Sequence, residues 1–306
     1  MTSLTYTERL LDEGRFWEGF ATGFRATCPR AALKCARESL AGFREGFGYA
    51  RASADMLTRP ESQTKLGKSE RYSLGLMLVP SDGIPSDMLT RAGLRSRVNL
   101  CPRASAGCRA ACLSQSGHGQ FAATQYARAV RTLFLLAHPF HAGVLIGREL
   151  RRALEREGAG RVALRLNVTS DIRWELLSGA DDIVPDIIAS GVRFYDYTAW
   201  NRQAREHAHT LGWHITYSAK EPAATPDDYL VDILSSGGTV AMPIRVGKGE
   251  PMPEWIPLGM GTFRVIDGDL SDDRTEDPQG VIVGLRPKGE AGKRDTSGFV
   301  RDLILT

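Results

Sequence analysis

The chain has no apolar run long enough to cross a bilayer. Its longest, Thr132–Phe140, ends at His138-Pro139 and falls far short of the roughly 20 residues that a spanning helix needs. No membrane partner is expected. Residues 1–13 lack an apolar stretch and bring Asp12 and Glu13 early, so they do not read as a secretory leader, and a cytoplasmic protein is expected. Neither sign of charge dominates: 39 Lys and Arg against 36 Asp and Glu leave +3, which excludes a case for nucleic-acid binding from bulk charge alone. Cysteine is scarce, five in 306 residues, and an odd number in a reducing compartment argues against a disulfide framework. What is present, 42% hydrophobic and 25% charged residues, is ordinary globular composition, and the length suits one catalytic-sized domain with an appendage.

Residues 1–64 read as a helical N-terminal extension. Phe16, Phe20 and Phe24 fall at i, i+4 and i+8, Phe43 and Phe47 repeat the spacing, and no strand-like alternation appears. The polar, proline-containing break Arg59-Pro60-Glu61-Ser62-Gln63-Thr64 ends the extension, and residues 65–306 form the second unit. Strand-like runs recur there at Ser73–Val79, Arg161–Leu166, Val192–Tyr197, Trp213–Tyr217, Thr239–Ile244, Phe263–Ile266 and Val281–Leu285, with a long helical stretch over Gln120–Glu157. Alternation of strands with other elements predicts an α/β fold with a mostly parallel sheet. Connections such as Lys248–Thr262 carry few helix signals, so the expectation is a partial (βα) barrel rather than a complete one.

Polar residues gather where these strands end: Asn167-Val168-Thr169-Ser170-Asp171, then Asp196 and Thr198 to Asn201, then Ser218 and Lys220, then Asp267-Gly268-Asp269. Strand carboxyl ends are where barrels and open α/β sheets build their sites, although Asp, Asn, Ser and Gly are also plain loop and cap formers. The sharpest signal is Cys101-Pro102-Arg103-Ala104-Ser105-Ala106-Gly107-Cys108-Arg109-Ala110-Ala111-Cys112. Three soft donors on a Gly/Pro/Ser loop can wrap one metal or cluster and leave a fourth position open. On an iron–sulfur cluster that position takes a substrate or cofactor; on zinc it takes water or a histidine such as His118, His138 or His141. The plain alternative is three unligated thiols, Cys108 and Cys112 being i, i+4 in a small-residue helix.

The runs Arg71-Tyr72-Ser73-Leu74-Gly75-Leu76, Cys112-Leu113, Arg165 to Glu175, Phe194-Tyr195-Asp196-Tyr197-Thr198, Ile266-Asp267-Gly268-Asp269 and Ser297-Gly298-Phe299-Val300 resemble the bacteriophage gene-product-88 family over roughly residues 65–306. The resemblance implies a phage or prophage origin, hence a host cytoplasm, and carries no particular reaction with it. The element Ser105-Ala106-Gly107-Cys108 also resembles the cysteine loop of radical S-adenosylmethionine enzymes, including phage proteins. That likeness implies a [4Fe–4S] cluster on Cys101, Cys108 and Cys112 and S-adenosylmethionine on its open iron. The cofactor-binding residues would be Asn167, Thr169, Ser170 and Ser218. The superfamily's usual loop has three and then two residues between cysteines with an aromatic before the last; here there are six and then three, and Ala111 stands at that place.

A rival enzyme reading takes Asp171, Asp196 and Asp267 as catalytic carboxylates of a zinc-containing base transglycosylase, one as nucleophile and another as general acid/base, with Cys₃His zinc completed by His138. A non-catalytic reading makes the cysteines a structural zinc site in a phage binding protein that engages a host factor through the aromatic helices of residues 14–50. Arg91, Arg95, Arg97, Arg103 and Arg109 near the cysteine loop suit phosphates, so a nucleic acid or nucleotide is the expected substrate. Two motifs fail on spacing. Lys65-Leu66-Gly67-Lys68-Ser69 lacks the upstream glycine of a P-loop, having Ser62 there, and Asp267-Gly268-Asp269 with Asp272-Asp273 lacks the later ligands of an EF-hand.

Overall fold

The computed structural model describes residues 3–49, 55–62, 66–94, 98–115, 117–247 and 249–302. The expected boundary between residues 64 and 65, with Gln63, Thr64 and Lys65, lies outside them, as do Arg95 and Arg97. Eight strands form one sheet in the order β1-β2-β3-β4-β5-β8-β7-β6. They are β1 (Tyr72–Gly75), β2 (Val162–Arg165), β3 (Val192–Thr198), β4 (His214–Ser218), β5 (Thr239–Pro243), β6 (Trp255–Leu258), β7 (Gly261–Asp267) and β8 (Ile282–Leu285). Every pairing is parallel except the β6–β7 hairpin. The fold is mixed α/β with a mostly parallel, open sheet: a partial barrel, as the alternation of the sequence predicts.

The strands form where the sequence has short apolar runs, because strands covered on both faces need no polar alternation. Three differences have physical causes. The first strand ends at Gly75 rather than Val79, since the backbone N–H of Leu78 turns to the Thr169 hydroxyl (3.1 Å) instead of a neighbouring strand. The helical stretch over Gln120–Glu157 is two helices, α6 (Ala122–Ala137) and α7 (Pro139–Glu157), because Pro139 cannot continue α6 and starts α7 at its first position. The strand β6 lies within Lys248–Thr262; Pro257 and an alternating burial pattern suit only an edge strand. Among the described residues no single helix is long and apolar enough to cross a membrane; α6 and α7 qualify only as a pair bent by 115°.

The N-terminal helices α1 (Tyr6–Glu13), α2 (Phe16–Phe24) and α3 (Arg30–Gly46) pack on the same core as the sheet. The aromatic spacing of α2 buries Phe16, Trp17 and Phe20, and the Trp17 indole donates to the Trp174 carbonyl at 2.9 Å. Helices α2 and α7 meet backbone to backbone through two glycine pairs four residues apart, Gly19 and Gly23 facing Gly143 and Gly147. A Cβ at Gly19 would fall on the Phe140 carbonyl, and one at Gly143 on the Phe16 carbonyl. Backbone cannot move aside as a side chain can. Gly143→Leu is therefore expected to cost at least the upper part of the about 1–3 kcal/mol usual for overpacking, read as a lower midpoint in urea unfolding.

Candidate functional site

The C-terminal ends of β2, β3, β4, β5 and β8 surround a cavity of about 220 Å³, lined by Arg165, Thr198, Ser218, Pro243 and Leu285. Its opposite wall is the cysteine loop, so that Cys101, Cys108 and Cys112 all face this one space. The loop is held by local chemistry. Ser105 caps the short helix α5 (Ala106–Ala110) by accepting from the Cys108 N–H at 3.2 Å. Gly107 donates its N–H to Glu221 Oε1 at 2.6 Å and sits so close to Phe299 and Ser297 that a Cβ would have no room. The Cys101 N–H bonds Asn99 Oδ1 (2.9 Å), its Sγ reaches the Thr169 carbonyl (3.5 Å), and the Asp171 N–H donates to the Leu100 carbonyl (2.7 Å). The cysteine loop and the loop after β2 are thus stitched together.

Asn167 is the hub of that second loop. Its Oδ1 accepts from Ser170 Oγ, the Ile172 N–H and Trp174 Nε1, while its Nδ2 donates to the Ile172 carbonyl and to Asp196 Oδ2. With these bonds made its amide has little left for a ligand, and its role is to fix the loop. Thr169 Oγ1 is likewise engaged with the Leu78 backbone. Both line the cavity, together with Ser170, Asp171 and Ser218. Asp171 accepts from Thr198 Oγ1 (2.7 Å) and the Ala199 N–H (2.8 Å), with Arg205 at 3.6 Å. Burial raises its carboxyl above the ordinary value, and Arg205, Thr198 and Ala199 partly offset that. Asp196 is absent from the cavity wall. It is fully covered inside β3 and accepts from the Asn167 N–H (2.8 Å), and burial pushes its carboxyl up to about 7 against the pull of Arg205 and Asn167. Asp267 is also absent from the wall; it is paired with Arg286 at 2.8 Å, and Arg286 lines the cavity instead.

Three wall or loop residues were not singled out by sequence reasoning, Arg165, Arg286 and Glu221, and Lys220 was placed at the end of β4 without a role. Arg165 had a signal, a charged residue closing an otherwise apolar strand; it pairs with Asp272 (3.0 Å) and lies over the Tyr197 ring at 4.4 Å. Lys220 follows Ser218 by two residues and donates to the Ala199 carbonyl at 3.0 Å. Of the expected basic cluster, Arg103 lies over Trp200 at the site, with Arg173 also against that ring, whereas Arg91 packs on Phe47 and Arg109 is exposed. The candidate zinc histidine His138 sits between Phe43 and Phe134, stacked on His141, and neither it nor His118 lines the cavity. Among the described residues no three His, Cys, Asp or Glu side chains stand where they could hold one metal ion.

Cys101 and Cys108 are disfavoured as free thiolates. Burial, then the neighbouring Cys112, Asp171 and Glu221, push Cys108 up to about 12, and burial drives Cys101 well above its ordinary value too. Such thiols are poor nucleophiles and ionise only beside a cation. In the metal-free protein at pH 7.5, Cys35, which is exposed, is expected to react with iodoacetamide at least about ten-fold faster than Cys101 or Cys108, as read by peptide mass mapping.

The loop after β2 is anchored from the N-terminus. Glu8 of α1 completes a capping box with Thr5 and also takes the Arg173 side chain (2.9 and 2.7 Å) and its backbone N–H (3.0 Å). Both partners are 1% exposed. Burial alone would raise the Glu8 carboxyl, but Arg173 and the two backbone N–H groups outweigh it and hold the group below its ordinary 4.5. A depressed carboxyl contributes stability above its unfolded value and loses it as pH falls through the folded one. Glu8→Ala is expected to cost about 3–5 kcal/mol at pH 7, the usual result of stranding one buried charge. The gap from the unsubstituted protein should stay level above about pH 5 and narrow below about pH 4, in urea titrations across pH.

A family model described as gene product 88 matches residues 51–303. No curated protein and no solved structure matches the chain. The matched segment takes in all eight strands, the cysteine loop and the whole cavity wall. On that match, the chain belongs to the gene product 88 family.

Proposed function

We propose that the protein is an enzyme whose three cysteines hold a [4Fe–4S] cluster at the mouth of the partial barrel, that binds S-adenosylmethionine beside it, and that modifies a nucleic acid or nucleotide. The observation that carries this reading is the shared cavity: three thiols of one loop face the polar ends of β2, β3 and β4. The donor set suits a cluster better than a single ion. The sulfurs line one space without meeting at a point that fits one metal, and no histidine comes to a fourth position. The raised pKa values of Cys101 and Cys108 argue against either as a free nucleophile and for thiols that ionise on taking up a cation.

A cluster held by Cys101, Cys108 and Cys112 would supply one-electron reduction of a sulfonium, the chemistry such a site would contribute. The chain's own residues then bind and orient. Cys101, Cys108 and Cys112 would ligate. Asp171, held by Thr198 and Ala199, offers a carboxylate to an ammonium group, and Lys220 offers a cation to a carboxylate or phosphate. Arg286 and Lys288 complete a basic rim that suits a phosphate-bearing substrate.

Anaerobic reconstitution with iron and sulfide is expected to give about four irons per chain and broad visible absorption, both lost in Cys108→Ala. Stoichiometric zinc with no iron uptake would overturn the reading. In the reconstituted protein, Asp171→Asn is expected to keep the iron and to weaken S-adenosylmethionine binding at least about ten-fold by calorimetry, the loss of one charge-assisted contact.

A further inference from the structure

On the far side of the cysteine loop lies a second cavity of about 360 Å³, between α6 and the segment that runs from Val79 into α4 (Ser86–Arg91). Three of its walls come from one face of α6, where Ala122, Gln125 and Ala129 recur at helical spacing and the small side chains leave the space open. Among the described residues one charged side chain lines it, Arg128, and no carboxylate does. Arg128 is 5% exposed, and no hydrogen bond, ion pair or ring contact reaches its guanidinium within the described residues. Every other arginine or lysine named at the first cavity has an internal partner. A guanidinium carries five donors and a fixed charge, and with no protein partner those of Arg128 open on the cavity, where solvent or a ligand must meet them. Burial disfavours its charged form, and the single group that acts against this is the Cys112 thiol.

We propose that this cavity binds a small carboxylic acid, its carboxylate paired two-pronged with Arg128 and its apolar body against Val79, Pro85, Met88 and Ala129. The planar fork of arginine matches a carboxylate. The remaining walls mix the apolar side chains with the Gln125 amide and the Ser114 and Tyr126 hydroxyls. The apolar part favours an acid with a hydrocarbon body over inorganic phosphate, which would leave those side chains unused. Ser114 donates to Cys112 Sγ at 3.3 Å, so the ligand sits one residue's thickness from the cysteine loop. The proposal stands whether or not the cysteines carry a cluster.

The test is calorimetric titration of the purified full chain, without iron, with acetate, butyrate and inorganic phosphate at one ionic strength set with chloride. Butyrate is expected to bind saturably and about ten-fold more tightly than acetate, from its two further buried methylenes. Phosphate is expected to bind more weakly than butyrate. Arg128→Met should abolish binding. Gln125→Glu, at an exposed position one helical turn from Arg128, brings a carboxylate to the guanidinium and should displace butyrate while raising the thermal midpoint of the ligand-free protein. No saturable binding of butyrate, binding that survives Arg128→Met, or phosphate as tight as butyrate would each overturn the proposal. If Arg128→Met does not fold, Gln125→Glu decides: unchanged butyrate affinity in it overturns the assignment.

Discussion

Beneath the loop that follows β2, four charged side chains lie almost wholly out of water: Glu8, Arg173, Glu175 and Arg205. They are not scattered. Glu8 grips Arg173, Glu175 lies 2.7 Å from Arg205, and Arg205 reaches on to Asp171 at the cavity wall. Buried ion pairs of this kind add little net stability against an apolar core of equal volume, yet removing one member strands the other. Their consequence is geometric. Together with the saturated amide of Asn167 they leave residues 167–175 one conformation, and that conformation carries the Thr169 carbonyl to Cys101 and the Asp171 carboxylate to the cavity.

The cavity that results has two kinds of wall. One is the cysteine loop, where burial and the neighbouring carboxylates disfavour thiolates at Cys101 and Cys108. The other is a row of strand ends that offers hydroxyls, one carboxylate and several cations. Thiols surrounded by negative groups store a preference for a cation, which a redox-active metal centre would satisfy, and the basic rim would balance the charge of a phosphate-bearing substrate at the same mouth. The electrostatics of the two walls are complementary rather than independent.

Much of this was legible in the sequence, for stated reasons. Six strands announce themselves as apolar runs because a parallel sheet covered on both faces permits no polar alternation, whereas β7 is legible only from Phe263, Val265 and Ile266, with Thr262 and Arg264 exposed. The eighth, β6, carries Pro257 and alternates, which is the pattern of an edge and resembles a loop. Asn167 to Asp171 reach the cavity because they follow the end of β2, and the cysteines reach the same space although α4 lies between β1 and them. Asp196 does not, since it stands two residues before the end of β3 and so lies a layer below the wall where Thr198 stands. Asp267 does not because the strand order places β7 outside β8, and Arg286 intervenes; adjacency of strands distant in sequence is not written in any local pattern. The glycine pairs of α2 and α7 were equally silent, for a glycine does not name the backbone it will meet.

The helix contact made by those glycines also bears on how the family segment is held. That segment starts at residue 51, after α1, α2 and α3, yet Arg173 inside it has its countercharge on Glu8, and α7 offers α2 a groove with no side chains to fill it. Removal of residues 1–50 would leave a naked cation under the loop after β2 and a bare trench along α7.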